Sequence, residues 1–195
     1  MMKYAGSLVV ILMVWLGSSI GNGSIAQKDE PRSRTPLSNP DTFPVPKKTP
    51  GFMFYIQRDP NTNTICYELN LGKEGKLEKN NPIHAFWIRY PEGGHRKDLN
   101  FIQRKFAYGI NSKSIGEDRY ELRSVAYSKL PLVLRKDSKN QYHVYVDIDK
   151  TECILNRIFI RIDGGTFWHP NVLYIELRGV NPVTGKTVIQ RIKPS

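Results

Sequence analysis

The chain has 195 residues, with 29 Lys and Arg against 18 Asp and Glu and a formal net charge of +11. That length can build one domain around its own core, and two cysteines, Cys66 and Cys153, are too few for a disulfide framework. Basic residues are spread among acidic ones, densest at Lys47-Lys48 and His95-Arg96-Lys97, with no block of like charge, so a basic surface with no particular ligand is the favoured reading and attraction to polyanions the alternative.

Residues 1–26 have the order of a cleavable secretory signal. Lys3 precedes an apolar run from Leu8 to Leu16, and Ser24-Ile25-Ala26 sets small side chains before a cut between Ala26 and Gln27. Gly17, Ser18 and Ser19 interrupt the run short of the roughly 20 apolar residues that span a bilayer. No cysteine is placed for lipid attachment. The expectation is an exported protein, periplasmic or extracellular, soluble after cleavage and not a lipoprotein, with no stable membrane insertion of the mature form. Cleavage removes one basic and no acidic residue, leaving 28 against 18 and a net charge of +10. Outside the cytoplasm the natural polyanions are lipopolysaccharide, acidic glycans or teichoic acids, and nucleic acid is not an expected partner.

From 27 to 50, six of 24 residues are proline and large apolar residues are nearly absent, which predicts a disordered or semi-extended tether. The remainder, 51–195, reads as a single β domain, because no second linker interrupts it. Phe52, Phe54 and Ile56 alternate on one face of a first strand, and Ile65, Tyr67 and Leu69 on one face of a second. Asp59-Pro60-Asn61-Thr62-Asn63 supplies the turn between them. A third strand covers 83–90. Leu99, Ile102, Phe106 and Ile110 then fall at helical spacing, with Asp98 as a cap and Gly109 as a stop, predicting one short amphipathic helix. Strands follow at 119–127, 132–135, 141–148, 152–162, 172–178 and 186–193. Roughly nine strands with short turns and one helix define an all-β protein, an antiparallel sandwich or barrel.

The strand 152–162 carries the most information. Ile154, Asn156, Ile158, Ile160 and Ile162 are predicted to share a core face, with Cys153, Leu155, Arg157, Phe159 and Arg161 opposite. Two arginines flanking a ring can grip an anion, but a solvated outer face is the favoured reading. The next residues, Asp163 to Pro170, form a glycine-containing loop with Trp168 beside His169, favoured as a corner whose Phe167 and Trp168 plug the core. No Gly-x-Ser-x-Gly elbow occurs. His84, His95, His143 and His169 are scattered without metal-ligand spacing, so neither a metal nor another cofactor is expected. His143, Tyr145 and Asp147 share a strand face expected to be exposed, and paired carboxylates that meet only in space are invisible at this level. Export permits a bond between Cys66 and Cys153, but two strands chosen from nine are seldom neighbours, and buried free thiols are predicted. Ile-Gln-Arg occurs at 56–58, 102–104 and 189–191 in unmatched surroundings, which reads as coincidence.

Phe54-Tyr55-Ile56-Gln57-Arg58, the run from Asn81 to Tyr90, the run from Ile102 to Gly109, and Ile154-Leu155-Asn156-Arg157 through Gly164-Gly165-Thr166-Phe167-Trp168 together resemble a bacterial family known only as domain of unknown function 4833. The resemblance runs from about Phe52 to Pro194. It implies a coherent exported domain and no particular activity, and it directs attention to Arg58, Arg89, Arg104, Tyr108, Arg157 and Trp168. With Arg161 these are the candidate binding residues; catalytic residues are not assigned. The leading expectation is a binding module for an anionic or amphipathic envelope ligand. The alternatives are a hydrolase acting on cell-envelope material and a structural accessory subunit.

Overall fold

The structure, a computed structural model, describes residues 39–165 and 170–194. The expected signal at 1–26, the tether up to residue 38, and Phe167, Trp168 and His169 lie outside them.

Eleven strands form one mixed sheet that does not close. They are β1 (Phe52–Arg58), β2 (Thr64–Leu69), β3 (Ile83–Arg89), β4 (His95–Asp98), β5 (Ile110–Gly116), β6 (Arg119–Ser124), β7 (Leu132–Lys136), β8 (Tyr142–Ile148), β9 (Thr151–Gly165), β10 (Pro170–Val180) and β11 (Thr187–Ile192). The strand path is β4-β3-β2-β1-β9-β8-β7-β6-β5, and β10 pairs with both β9 and β11. Every pairing is antiparallel except β1 with β9, where Tyr55–Arg58 run parallel to Arg157–Ile160. The all-β class stands, with this one parallel pair as its departure from an antiparallel expectation.

β9 is the branch point. At its start Thr151–Ile154 pairs with β8, further along Arg157–Ile160 pairs with β1, and β10 accompanies it from Ile154 to Gly165. Since β10 takes one edge, β8 and β1 divide the other and diverge into two wings. Phe54, Ile65, Tyr67 and Trp87 from one wing and Leu122, Leu132, Leu134 and Val144 from the other belong to a single buried cluster, so the wings face each other across one core.

The face assignment of β9 changes partway along the strand. Pairing with β10 steps from Arg178↔Arg157 to Gly179↔Leu155, which leaves Asn156 as an extra residue, a bulge. Cys153 and Leu155 therefore lie in the core before the bulge and Ile158 lies there after it, correcting the uniform alternation read from the sequence. Ile154 is only half-buried. Gly179 is required beside this bulge: a β-carbon there would meet the Ile154 carbonyl oxygen at 2.8 Å and Cys153 Cβ at 2.9 Å.

The two strands missing from the sequence reading, β4 and β5, end the sheet path. β4 is exposed at every residue and β5 at most, so neither carries apolar alternation, and polar, lysine-bearing edges discourage pairing with another chain. The helical segment joins these two edges. It starts as α1 (Phe101–Gln103), where Asn100 and Gln103 form a reciprocal capping box, in place of the expected Asp98 cap. It then widens into a π turn over Arg104–Tyr108. Gly109 permits the exit, because a β-carbon there would meet the Arg104 carbonyl oxygen at 2.0 Å.

The proline-rich stretch is not wholly a tether. Asn39 caps a short 3-10 turn at Pro40–Thr42. Phe43 is 7% exposed and meets Phe159 edge-on at 5.2 Å between ring centroids. The buried Gln57 amide donates to the Pro44 carbonyl (2.7 Å) and to Thr64 Oγ1 (3.0 Å). Residues 39–46 thus pack across β1 and β9. A phenylalanine between prolines carried more weight than the composition suggested.

Candidate functional site

The candidate residues do not converge. Arg104 is exposed on the helical segment. Arg89 ends β3 and pairs with Glu92. Arg157 and Arg161 are 4% and 3% exposed, against the expectation of a solvated face, because residues 39–46 cover Arg157 and Phe159 while Asp59 and Tyr174 pack on Arg161. They do grip carboxylates, but the chain supplies them. Arg157 donates to the Pro40 carbonyl at 2.7 Å and to Asp41 at 3.4 Å, and Arg161 pairs with Asp59. Both guanidinium groups lie over the Phe159 ring, at 5.0 and 5.5 Å. Around them Arg178 binds Asp41 at 2.7 Å, and the buried Glu176 takes Arg191 at 2.9 Å. In this outer network every arginine has a carboxylate from the chain itself, Asp41 being shared by Arg157 and Arg178, and the network fastens the N-terminal segment.

Arg58 and Tyr108 stand apart. In β1, Phe54, Ile56 and Arg58 alternate inward, so the strand delivers a guanidinium into the core. Tyr108 comes from the end of the π turn and is fixed from the other side of the first wing. Its carbonyl accepts from the Tyr67 hydroxyl at 2.9 Å, and the Trp87 indole meets its ring edge-on at 4.9 Å. Arg58 and Tyr108 line a cavity of about 70 Å³ whose remaining wall is almost entirely hydrocarbon, including Ile56, Leu130, Leu132, Ile160 and Ile162.

Arg58 is 5% exposed, and its guanidinium carbon lies 5.8 Å from the Tyr108 ring centroid. Among the described residues no carboxylate pairs with it, and apart from their approach to each other Arg58 Nε, Arg58 Nη1 and the Tyr108 hydroxyl are buried without a hydrogen-bond partner. Burial pushes the Tyr108 phenol up from its ordinary value, more than the neighbouring Arg58 cation draws it down. Tyr108 is therefore a neutral donor beside a permanent cation.

The thiols and imidazoles offer less. Cys66 and Cys153 are both free and buried, Cys66 in a small outer cluster with Tyr55 and Phe86 and Cys153 in the main core. Desolvation pushes the Cys66 thiol up to about 12, the reverse of what a nucleophile needs. His84 is held by Glu68 at 3.0 Å and Asp98 at 3.4 Å, and His143 by Asp137 at 3.2 Å. Among the described residues no group of three or more His, Cys, Asp and Glu is placed to hold a metal. The three Ile-Gln-Arg tripeptides occupy unlike settings. Arg58 faces the cavity, Arg104 is exposed, and Arg191 binds Glu176.

Fold and site together define an all-β domain with a lone guanidinium in an apolar interior. The family model described as domain of unknown function (DUF4833) matches residues 54–191, and the chain belongs to that family. No curated protein and no solved structure matches it. The matched region contains Arg58, Tyr108 and the cavity wall, but not the docked segment 39–46.

Proposed function

We propose that this domain binds a small amphipathic anion, its acyl or alkyl chain in the cavity and its carboxylate or phosphate against Arg58 and Tyr108. The observation that carries this reading is the buried guanidinium without an anionic partner among the described residues. Burying an unpaired charge is strongly unfavourable. An arginine sited there is best understood as holding donors ready for an anion, while the hydrocarbon wall takes an apolar tail. The cavity's modest size favours a short or branched chain. For the hydrolase alternative neither cysteine offers an activated nucleophile, since burial holds both Cys66 and Cys153 as thiols.

Titration calorimetry with butyl phosphate, butanoate and butanol tests the reading. The two anions bind and the alcohol binds at least about ten-fold more weakly, the difference expected for one charge-assisted contact. Arg58→Met keeps the side-chain length, removes the preference for anions and leaves the melting temperature equal or higher, because an unpaired buried charge is gone. Equal binding of anion and alcohol, or no binding of either, overturns the proposal.

Residues 1–26 support the further reading that the protein is exported and acts outside the cytoplasm. Sequencing the N-terminus of the product from its native host should begin at Gln27 or within a residue or two. Intact Met1 on a membrane-bound chain counts against export.

A further inference from the structure

The helical segment between β4 and β5 has an unusual surface. Phe101 is 66% exposed, Ile102 42% and Phe106 40%. Isolated exposed apolar residues are ordinary, but three large ones within one turn form a patch. The fold does not use these side chains. Leu99, Ala107 and Tyr108 already anchor the segment in the core, and the capping box and π turn fix its path.

Within the helical segment the charge has one sign, although Asp98 precedes it and Glu121 pairs opposite Lys113 across the sheet. From Leu99 to Gly116 the chain contains Arg104, Lys105 and Lys113 and no Asp or Glu. Arg104 and Lys105 are exposed, and Lys105 Nζ lies 5.5 Å from the Phe101 ring centroid and 5.3 Å from that of Phe106. An ammonium held among aromatic rings suits a bilayer interface, where rings enter the acyl boundary and cations meet anionic headgroups.

We infer that Phe101, Ile102 and Phe106, with Arg104 and Lys105, form a docking surface for an anionic lipid membrane. The mode is interfacial, since no helix among the described residues is long and apolar enough to cross a bilayer. Position adds to the argument. Ala107, Tyr108 and Ile110, directly after the patch, line the Arg58 cavity, so docking would bring the cavity next to a source of amphipathic anions. The inference goes beyond the binding proposal and stands without it.

The test uses the full chain with Ile102→Cys labelled by an environment-sensitive nitrobenzoxadiazole dye; Cys66 and Cys153, both 0% exposed, stay unlabelled. A local probe is needed because residues 1–26 carry an apolar run of their own. With phosphatidylcholine vesicles containing one-third phosphatidylglycerol, the emission shifts to the blue and rises several-fold. Pure phosphatidylcholine gives at least about ten-fold weaker binding, as expected for two interfacial cations. Phe101→Ser/Phe106→Ser loses the response and keeps its melting temperature. The inference is overturned by an absent response, by the same response in the double variant, or by a response that appears without vesicles as dimers form in light scattering. Butyl phosphate binding to the double variant, measured separately, separates failure here from failure of the cavity proposal.

Discussion

Phe43→Ala tests whether the proline-rich segment belongs to the fold. Phe43 is 7% exposed, and its ring abuts Phe159, which is fully buried. Truncating a buried phenylalanine costs about 3–5 kcal/mol inside a core. Here the expected loss is smaller, about 2–3 kcal/mol, because residues 39–46 belong to no strand of the sheet and can lift away, which caps the loss at their docking free energy. Lifting also removes the Pro40 carbonyl and Asp41 from Arg157 and Arg178. For a domain of this size each kcal/mol shifts the melting temperature by about 2–4 °C, so a drop of about 5–10 °C is expected by calorimetry. Phe43→Leu should recover roughly half of it, since an apolar side chain again covers the Phe159 ring. A change below about 1 °C in Phe43→Ala would falsify the docked segment and restore a tether reaching to residue 50.

Gly109→Ala should destabilise by several kcal/mol, because the clash with the Arg104 carbonyl forbids the present exit from the π turn; butyl phosphate binding should fall with it, whereas wild-type stability in thermal melts would show the turn to be unconstrained. Burial pushes the Glu68 carboxyl up, but hydrogen bonds and charge from Arg96 and His84 outweigh this and hold it below its ordinary value. A depressed carboxyl contributes stability above its unfolded pKa, about 4.3, and that contribution is lost as pH falls through the folded value. Melting temperatures of Glu68→Gln should therefore sit below wild type at pH 6 and converge with it on acidification; an offset independent of pH refutes the linkage. Cys66 and Cys153, both buried, should react with a thiol reagent at pH 8 only as fast as the domain opens, and fully after denaturation. Rapid modification of the native protein contradicts their placement.

The fold was legible where one side of a strand meets the core and the other does not. β6 shows this alternation in its burial; β1, β2 and β8 were located by the same period, but β1 and β2 are largely buried on both faces, and in β8 Tyr145, expected on the exposed face, is buried. β4 and β5 close the two ends of the sheet path and bury almost nothing, so their pairing is backbone chemistry that side-chain pattern does not report. The β9 bulge was unreadable for a different reason. Its isoleucines at 154, 158, 160 and 162 keep one parity with only Asn156 interrupting them, and it is the partner β10, with Gly179 admitting close approach, that reveals Asn156 as the extra residue. The docked segment failed on composition. Prolines suppress the expectation of structure, yet Pro40 and Phe43 are buried, and Pro40 and Pro44 present the carbonyls that Arg157 and Gln57 use.

Arginine count alone could not separate binding groups from fasteners, because the distinction rests on where carboxylates lie. Arg157 and Arg161 looked like the stronger pair, on adjacent same-face positions around a ring. Asp41 and Asp59 come from distant parts of the chain to neutralise them, so their charge is spent on holding the molecule together. Arg58 sits one residue before Asp59, but the strand turns the two side chains to opposite faces, Asp59 toward Arg161 and Arg58 into hydrocarbon. The alternation of β1 was the available signal: an inward series Phe54, Ile56, Arg58 ends on a cation at a position the pattern reserves for an apolar group. Natural sequences break such a pattern at a cost in stability. The break at Arg58 lies next to Tyr108, a second buried polar group without a further partner among the described residues. Two such groups at one cavity, supplied by elements 50 residues apart in sequence, make a bound anion a more economical account than two independent defects in packing.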